Sequence, residues 1–171
     1  MIERLSIITP VYNGERFIES CITNVIEQQD ADVEHIIVDG GSTDGTLEVI
    51  MSYARRYKHI RWLSQKDKGQ SDAMNKGIQM SQGSVLGILN VDDYYARGTI
   101  RDVLDIFKNL PEPSLLVGNC NIWGNKGKNP GINKPAHLDI SQLLTADEKR
   151  FPFPVGSGFG WDYLYWLIFL S

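Results

Sequence analysis

The sequence has little material for cross-linking or for caging a metal. Cys21 and Cys120 are its only cysteines, with no CxxC and no Cys/His cluster beside them, which argues against a disulfide framework or a structural zinc site. Reduced thiols in a core are expected. Histidine is as sparse: His35, His59 and His137 share no spacing, and none is expected to be catalytic. There is no cationic excess, since 17 Lys and Arg face 21 Asp and Glu for a net charge of -4. That balance leaves no broad electrostatic footprint for nucleic acid. No GxGxxG follows the first apolar run, where "PVYNGE" stands instead, so a dinucleotide oxidoreductase is the poorest reading. The Gly-rich basic loop of nucleotidyltransferases is missing from the same place. Long apolar runs are lacking too. "WDYLYWLIFLS" at the end falls short of the roughly 18 apolar residues of a membrane span and reads as a core helix or an odd end. "MIERLSIITPVYNG" lacks the charged, apolar, small-residue order of a signal peptide, and a cytoplasmic protein is expected.

What is present is regular alternation. A chain of 171 residues is one domain of ordinary size, burying roughly two thirds of its unfolded surface. "LSIITPV" and "VEHIIVD" are short β-branched runs closed by turn residues, hence buried strands. Between them Phe17, Cys21 and Val25, with Ile18, Ile22 and Ile26, recur every four residues and predict a helix from 15 to 28. Leu47, Ile50, Met51, Ala54 and Tyr57 mark a second helix, with Ser42, Thr43 or Asp44 available as its cap. "HIRWLSQ", "SVLGILNV" and "SLLVGNCNIW" read as further strands, with "SDAMNKGIQMS" a short helix after the first of them and Ser71 at its start. Ile100, Val103, Leu104 and Phe107 give a last helix its apolar face, and Thr99 with Asp102 has capping-box spacing. Strands alternating with helices predict an α/β fold: a mostly parallel sheet with helices on both faces. After Trp123 the periodicity ends in a turn-rich stretch, "GNKGKNPGINKP".

In such a sheet ligands bind beyond the carboxyl ends of the strands. Tyr12 and Asn13 close the first strand, Asp39 the second, 66–69 the third, and Asp92 with Asp93 the fourth. Two adjacent carboxylates repel by about 4 kcal/mol at 4 Å and an effective dielectric near 20. An oxygen-loving divalent ion shared with substrate phosphates would offset that. The plainer alternative is that Asp93 caps a helix.

Four segments in order, "ITPVYNGERFIESCI", "IIVDGGSTDGT", "DKGQSDAMNKGI" and "GILNVDD", together resemble a family-2 glycosyltransferase of the GT-A (Rossmann-like) fold. The resemblance runs to about residue 121. It implies an inverting transferase that moves a sugar from a nucleotide-diphospho-sugar, most often a UDP-sugar, to a glycan or lipid-linked acceptor in polysaccharide biosynthesis. It implies Thr9 and Tyr12 against the base, Asp39 as acceptor for the uracil N–H, and Asp72 lining the same pocket. Asp92 would contact the ribose, and Asp93 would bind Mn2+ or Mg2+ at the diphosphate. Plainer roles stand beside these: Tyr12 as a core-edge aromatic, Asp39 as an Asx-type cap of its own turn, and Asp72 as a first-turn carboxylate favoured by the helix dipole.

One departure concerns phosphate. Many members of the family it resembles carry arginine where this chain has Met74, so Lys68, Lys76 or the metal would have to hold the diphosphate. The base that takes the acceptor proton would correspond to Asp162, in an altered context. Residues 1–125 are thus expected to bind the nucleotide-sugar and 126–171 to be a partial, truncated acceptor-side region. A donor-binding but catalytically incomplete domain is the alternative. The apolar tail predicts a homodimer or a peripheral contact with the inner face of the membrane.

Overall fold

The computed structural model describes residues 4–28 and 32–109, and the backbone of 115–116, 120–122, 131–133 and 168–170. Four parallel strands form its centre: β1 (Leu5–Val11), β2 (Val33–Asp39), β3 (Ile60–Ser64) and β4 (Val85–Ile88). They stand in the order β3-β2-β1-β4, with Leu5 opposite Val33 on one side of β1 and opposite Val85 on the other. The helices between them are α1 (Glu15–Glu27), α2 (Thr46–Arg56) and α3 (Gln70–Met80), with α4 (Thr99–Phe107) following β4. No helix among the described residues is long and apolar enough to cross a membrane.

Every residue of β1 and β2 is buried. Both faces of these strands are covered, and the near-continuous apolar reading of the two segments follows from that. On one face Leu5, Ile7 and Val33 pack with Cys21 and Val25 of α1 and with Ile100, Val103, Leu104 and Phe107 of α4. Ile18, Ile22, Ile37, Ile50 and Tyr53 continue that layer between α1 and α2. The opposite face holds Ile8, Ile36 and Val38 against Ala73 of α3. At the edge where β1 begins, this second face is polar. Glu34 accepts from Ser6 Oγ and the Gln82 amide at 2.6 Å each and from Arg61 at 2.9 Å. The Arg61 guanidinium also reaches the Met80 carbonyl at 2.7 Å. The buried carboxylate is therefore fully partnered at the end of the sheet away from the ligand edge.

Three sequence expectations are corrected. The run 114–123 is not one strand: β5 (Leu115–Leu116) and β6 (Cys120–Ile122) lie in different sheets, β6 pairing antiparallel with β7 (Gly131–Asn133). The C-terminal run supplies β8 (Ile168–Leu170), antiparallel to both β4 and β5, so the sheet ends in an antiparallel pair. A short apolar run cannot be told from a core helix by periodicity alone. Capping also differs. The residues preceding α2, α3 and α4 are Gly45, Gly69 and Gly98. Asp44 serves α2 from one position earlier, accepting from the Thr46 amide at 3.1 Å, and no Thr99 cap forms.

Candidate functional site

The chain leaves β1 toward β2 and β3 on one side and places β4 on the other. The switch point thus lies between the carboxyl ends of β1 and β4, where an open α/β sheet leaves a crevice. β1 is followed there by Tyr12 and β4 by the turn Asn90–Asp93. The two loops touch: a Cβ placed on Gly14 would lie 3.3 Å from Val91.

The turn after β4 is closed by the Asp93 amide on the Asn90 carbonyl at 3.1 Å. It holds Asp92 and Asp93 at the exposed rim. Desolvation raises the Asp93 pKa, the Asn90 amide opposes that rise, and the charge of Asp92 adds to it. Asn90 Nδ2 donates to Asp93 Oδ2 at 2.9 Å, and Asn90 Oδ1 accepts from Gln70 Nε2 at 2.7 Å. These two adjacent carboxylates are an all-oxygen donor pair held against their mutual repulsion. No group of three metal-ligating side chains exists among the described residues. A hard divalent ion fits such a pair when substrate oxygens and water complete its shell.

The loops after β1 and β2 are clamped together. Asn13, in the left-handed region at φ 51, donates its amide to Ser42 Oγ at 2.8 Å and accepts the Thr43 amide on Oδ1 at 2.9 Å. A second reciprocal pair joins Glu15 N to Asp44 Oδ2 and Gly45 N to Glu15 Oε2, both at 3.2 Å. Tyr12 projects beside this clamp with 64% of its surface exposed, a poor place for a core residue and a good one for a flat stacking face.

Asp39 is only 1% exposed. Its oxygens accept from the Gly41 and Ser42 amides at 3.2 Å, from Ser42 Oγ, and from Ser64 Oγ at 2.6 Å. It therefore organises the turn after β2, as an Asx-type cap does. Asp72 accepts the Lys68 amide and the Lys76 ammonium at 3.1 Å each. The Lys68 amide is the first cause of its lowered pKa, and the Lys76 ammonium follows. It clips the loop before α3 to the helix, while the Lys68 side chain stays exposed.

Thr9 lies behind the crevice. Its side chain has no exposure and its hydroxyl lies 2.9 Å from His35 Nε2, inside the layer beneath α1. Alternation along β1 turns Thr9 to the same face as Ile7 and Val11, so it supports the wall of the crevice from behind. Cys21 lies in the same layer, its thiol pushed up to about 12, chiefly by burial, and is inert. Asp162, Trp123 and the acceptor-side region lie outside the described residues. Sequence reasoning missed Ser64 and Gln70 and the clamp between Asn13 and Ser42. Asn90 gave a signal only as the polar break after "SVLGIL".

The profile described as "Glycosyl transferase family 2" matches residues 6–159. The Bacillus subtilis glycosyltransferase EpsJ is 31% identical over 96% of this chain and 48% of its own length. Chondroitin synthase of Escherichia coli is 33% identical over 78% of this chain and 20% of its own length. The chain therefore spans less than half of either relative. Among solved structures, S. aureus TarS in complex with UDP-GlcNAc superposes with a TM-score of 0.61 at 22% identity, over 67% of this chain and 33% of that one. The Pyrobaculum calidifontis mannosyltransferase PcManGT in complex with GDP-Man and Mn2+ gives 0.61 at 24%, over 67% and 35%. At such identities these two likenesses bear on the fold.

Proposed function

The chain belongs to glycosyl transferase family 2, and from that premise we propose that it carries the donor half of an inverting glycosyltransferase whose donor is a UDP-sugar. The observation that carries this reading is the acidic turn at the switch point, with Asp92 and Asp93 at the end of β4 and the exposed Tyr12 ring at the end of β1. A diphosphate needs countercharge, and the Lys76 ammonium is already engaged with Asp72. A divalent ion on Asp93 would neutralise the leaving diphosphate, and the Lys68 ammonium would add a cation from the α3 side. Tyr12 stacks on the base. The carboxylate of Asp39 already takes four N–H and O–H donors, so it accepts the uracil N–H in exchange for one of the serine hydroxyls, which rotates away. Asp92 accepts from the ribose hydroxyls, and Asp72 keeps the Lys68 loop in place. Residues 1–125 form this donor-binding part.

The other half of the reaction needs a base for the acceptor hydroxyl, and Asp162 is our assignment for it. A glycan or lipid-linked acceptor of a polysaccharide pathway agrees with the chondroitin synthase relative. We place the work at the cytoplasmic membrane face and expect a homodimer.

Thermal denaturation with UDP-GlcNAc, UDP-Glc and GDP-Man, each with Mn2+ or with EDTA, tests the reading. Donor at 100 times its Kd adds about 2.7 kcal/mol of stability by mass action. A shift for UDP-sugars that needs the metal is expected. No shift with any nucleotide plus metal sinks the proposal, and a shift without acceptor-stimulated UDP release reduces it to donor binding alone.

A further inference from the structure

We infer that Gln70 is a positioning residue for Asp93 and acts through Asn90. The inference rests on the reading of Asp93 as the metal-binding carboxylate. A carboxamide next to a carboxylate has one useful orientation: with its NH2 toward the carboxylate it donates, and turned over it sets two acceptors face to face. Asn90 is in the useful orientation, with Nδ2 on Asp93 Oδ2 at 2.9 Å. The contact that fixes it is Gln70 Nε2 donating to Asn90 Oδ1 at 2.7 Å. Both ends of the Asn90 side chain are thereby used. The backbone of the same residue also closes the turn, since its carbonyl accepts the Asp93 amide at 3.1 Å. Asn90 is held at both ends, and its side chain engages only one carboxylate oxygen of Asp93.

Gln70 is itself placed by the start of α3. Gly69 precedes it at φ 115, a conformation that side chains other than glycine rarely adopt. The loop ahead of it is pinned by Asp67 Oδ1 accepting the Gly69 amide at 2.9 Å and by Asp72 Oδ2 accepting the Lys68 amide at 3.1 Å. The relay therefore ties the acidic turn of β4 to the helix on the opposite face of the sheet. Outer partners of metal-binding groups typically govern metal affinity by 10- to 100-fold, and Gln70 has the place of such a partner two bonds removed.

Calorimetric titration of MnCl2 into the whole chain in the presence of UDP tests this, using the wild type, Gln70→Leu, Asn90→Ala and the double variant. Gln70→Leu keeps size and removes the donor. We expect it to weaken Mn2+ binding about tenfold with an unchanged apo melting midpoint, and to have less than a twofold further effect in the Asn90→Ala background. Wild-type affinity in Gln70→Leu overturns the inference, and so do equal losses in both backgrounds, because Gln70 would then act independently of Asn90. If Asn90→Ala binds too weakly to fit, Gln70→Leu alone decides. Wild-type protein that binds no Mn2+ with UDP present overturns the donor reading and this inference with it, whereas a wild type that binds beside an unaffected Gln70→Leu overturns this inference only.

Discussion

The Thr9 hydroxyl meets His35 Nε2 at 2.9 Å where neither residue has any solvent exposure. The other ring nitrogen, Nδ1, has no hydrogen-bond partner among the described residues. The imidazole is thus built into the sheet as a neutral group. Burial first, and then the neighbouring His59, push its pKa down from 6.5 to about 3.

That depression makes the fold acid-sensitive in a defined window. Between pH 6.5 and 3 the unfolded chain takes a proton on His35 and the folded chain does not, so stability is complete above the unfolded value and falls as pH drops. At pH 5 the loss from this group is about 2 kcal/mol. Urea midpoints at pH 7.5 and 5 measure it. His35→Gln keeps a polar partner for Thr9 and should remove most of the difference. An unchanged difference would assign the acid sensitivity to the carboxylates.

Tyr12 should separate binding from folding. With 64% of its surface exposed, its ring contributes little to the core, and Tyr12→Ala should leave the melting temperature of the free protein within about a degree, as surface substitutions do. Base stacking on an aromatic ring is worth about 1 to 3 kcal/mol, so UDP affinity should fall roughly 5- to 100-fold. A loss of stability with unchanged affinity would make Tyr12 a structural residue.

β1 and β2 were legible because they are covered on both faces and read as apolar runs. α1 was legible because Phe17 to Ile26 repeat at helical spacing. The ends of the helices were not, because Gly45, Gly69 and Gly98 replace capping side chains. β8 was illegible for another reason: its partners, β4 and β5, are far away in sequence. At the site, the position of Tyr12 after β1 and of Asp92 and Asp93 after β4 could be read from the strand pattern. Thr9 could not be dismissed from sequence, since only the alternation of β1 in the finished sheet decides which way a hydroxyl turns. The relay through Gln70 and Asn90 spans 20 residues and leaves no pattern in the chain.

Asp39 should fail in two ways at once. Its carboxylate satisfies the Gly41 and Ser42 amides and the Ser64 hydroxyl from a nearly inaccessible position, and donors left unpartnered there cost about 1 to 3 kcal/mol. Asp39→Ala should therefore lower the melting temperature, and it should also weaken UDP about ten- to a hundredfold. Parallel titrations with UDP, GDP and ADP divide the two roles. A larger loss for UDP reports reading of the base edge, and equal losses mean that Asp39 only shapes its turn.

Asp93 should behave in the opposite sense. Partial desolvation at the rim and the charge of Asp92 raise its pKa, against the bond from Asn90. A carboxylate whose folded pKa lies above its unfolded value costs stability once pH exceeds both, because the folded state holds the proton more firmly. Near neutral pH the free protein therefore carries Asp93 at a cost, which a bound cation would relieve. Asp93→Asn removes the charge, keeps the shape, and should leave the apo melting temperature equal to or above that of the wild type. The same variant should lose the metal-dependent part of ligand stabilisation. If Kd weakens a hundredfold, a dose that added about 2.7 kcal/mol to the wild type adds about 0.4 kcal/mol to the variant. Melting curves of both proteins, free, with UDP and Mn2+ and with UDP and EDTA, give all six numbers. A destabilised apo variant would mean that Asp93 is there to hold its turn. An apo variant as stable as wild type that keeps its Mn2+-dependent shift would move the metal to Asp92.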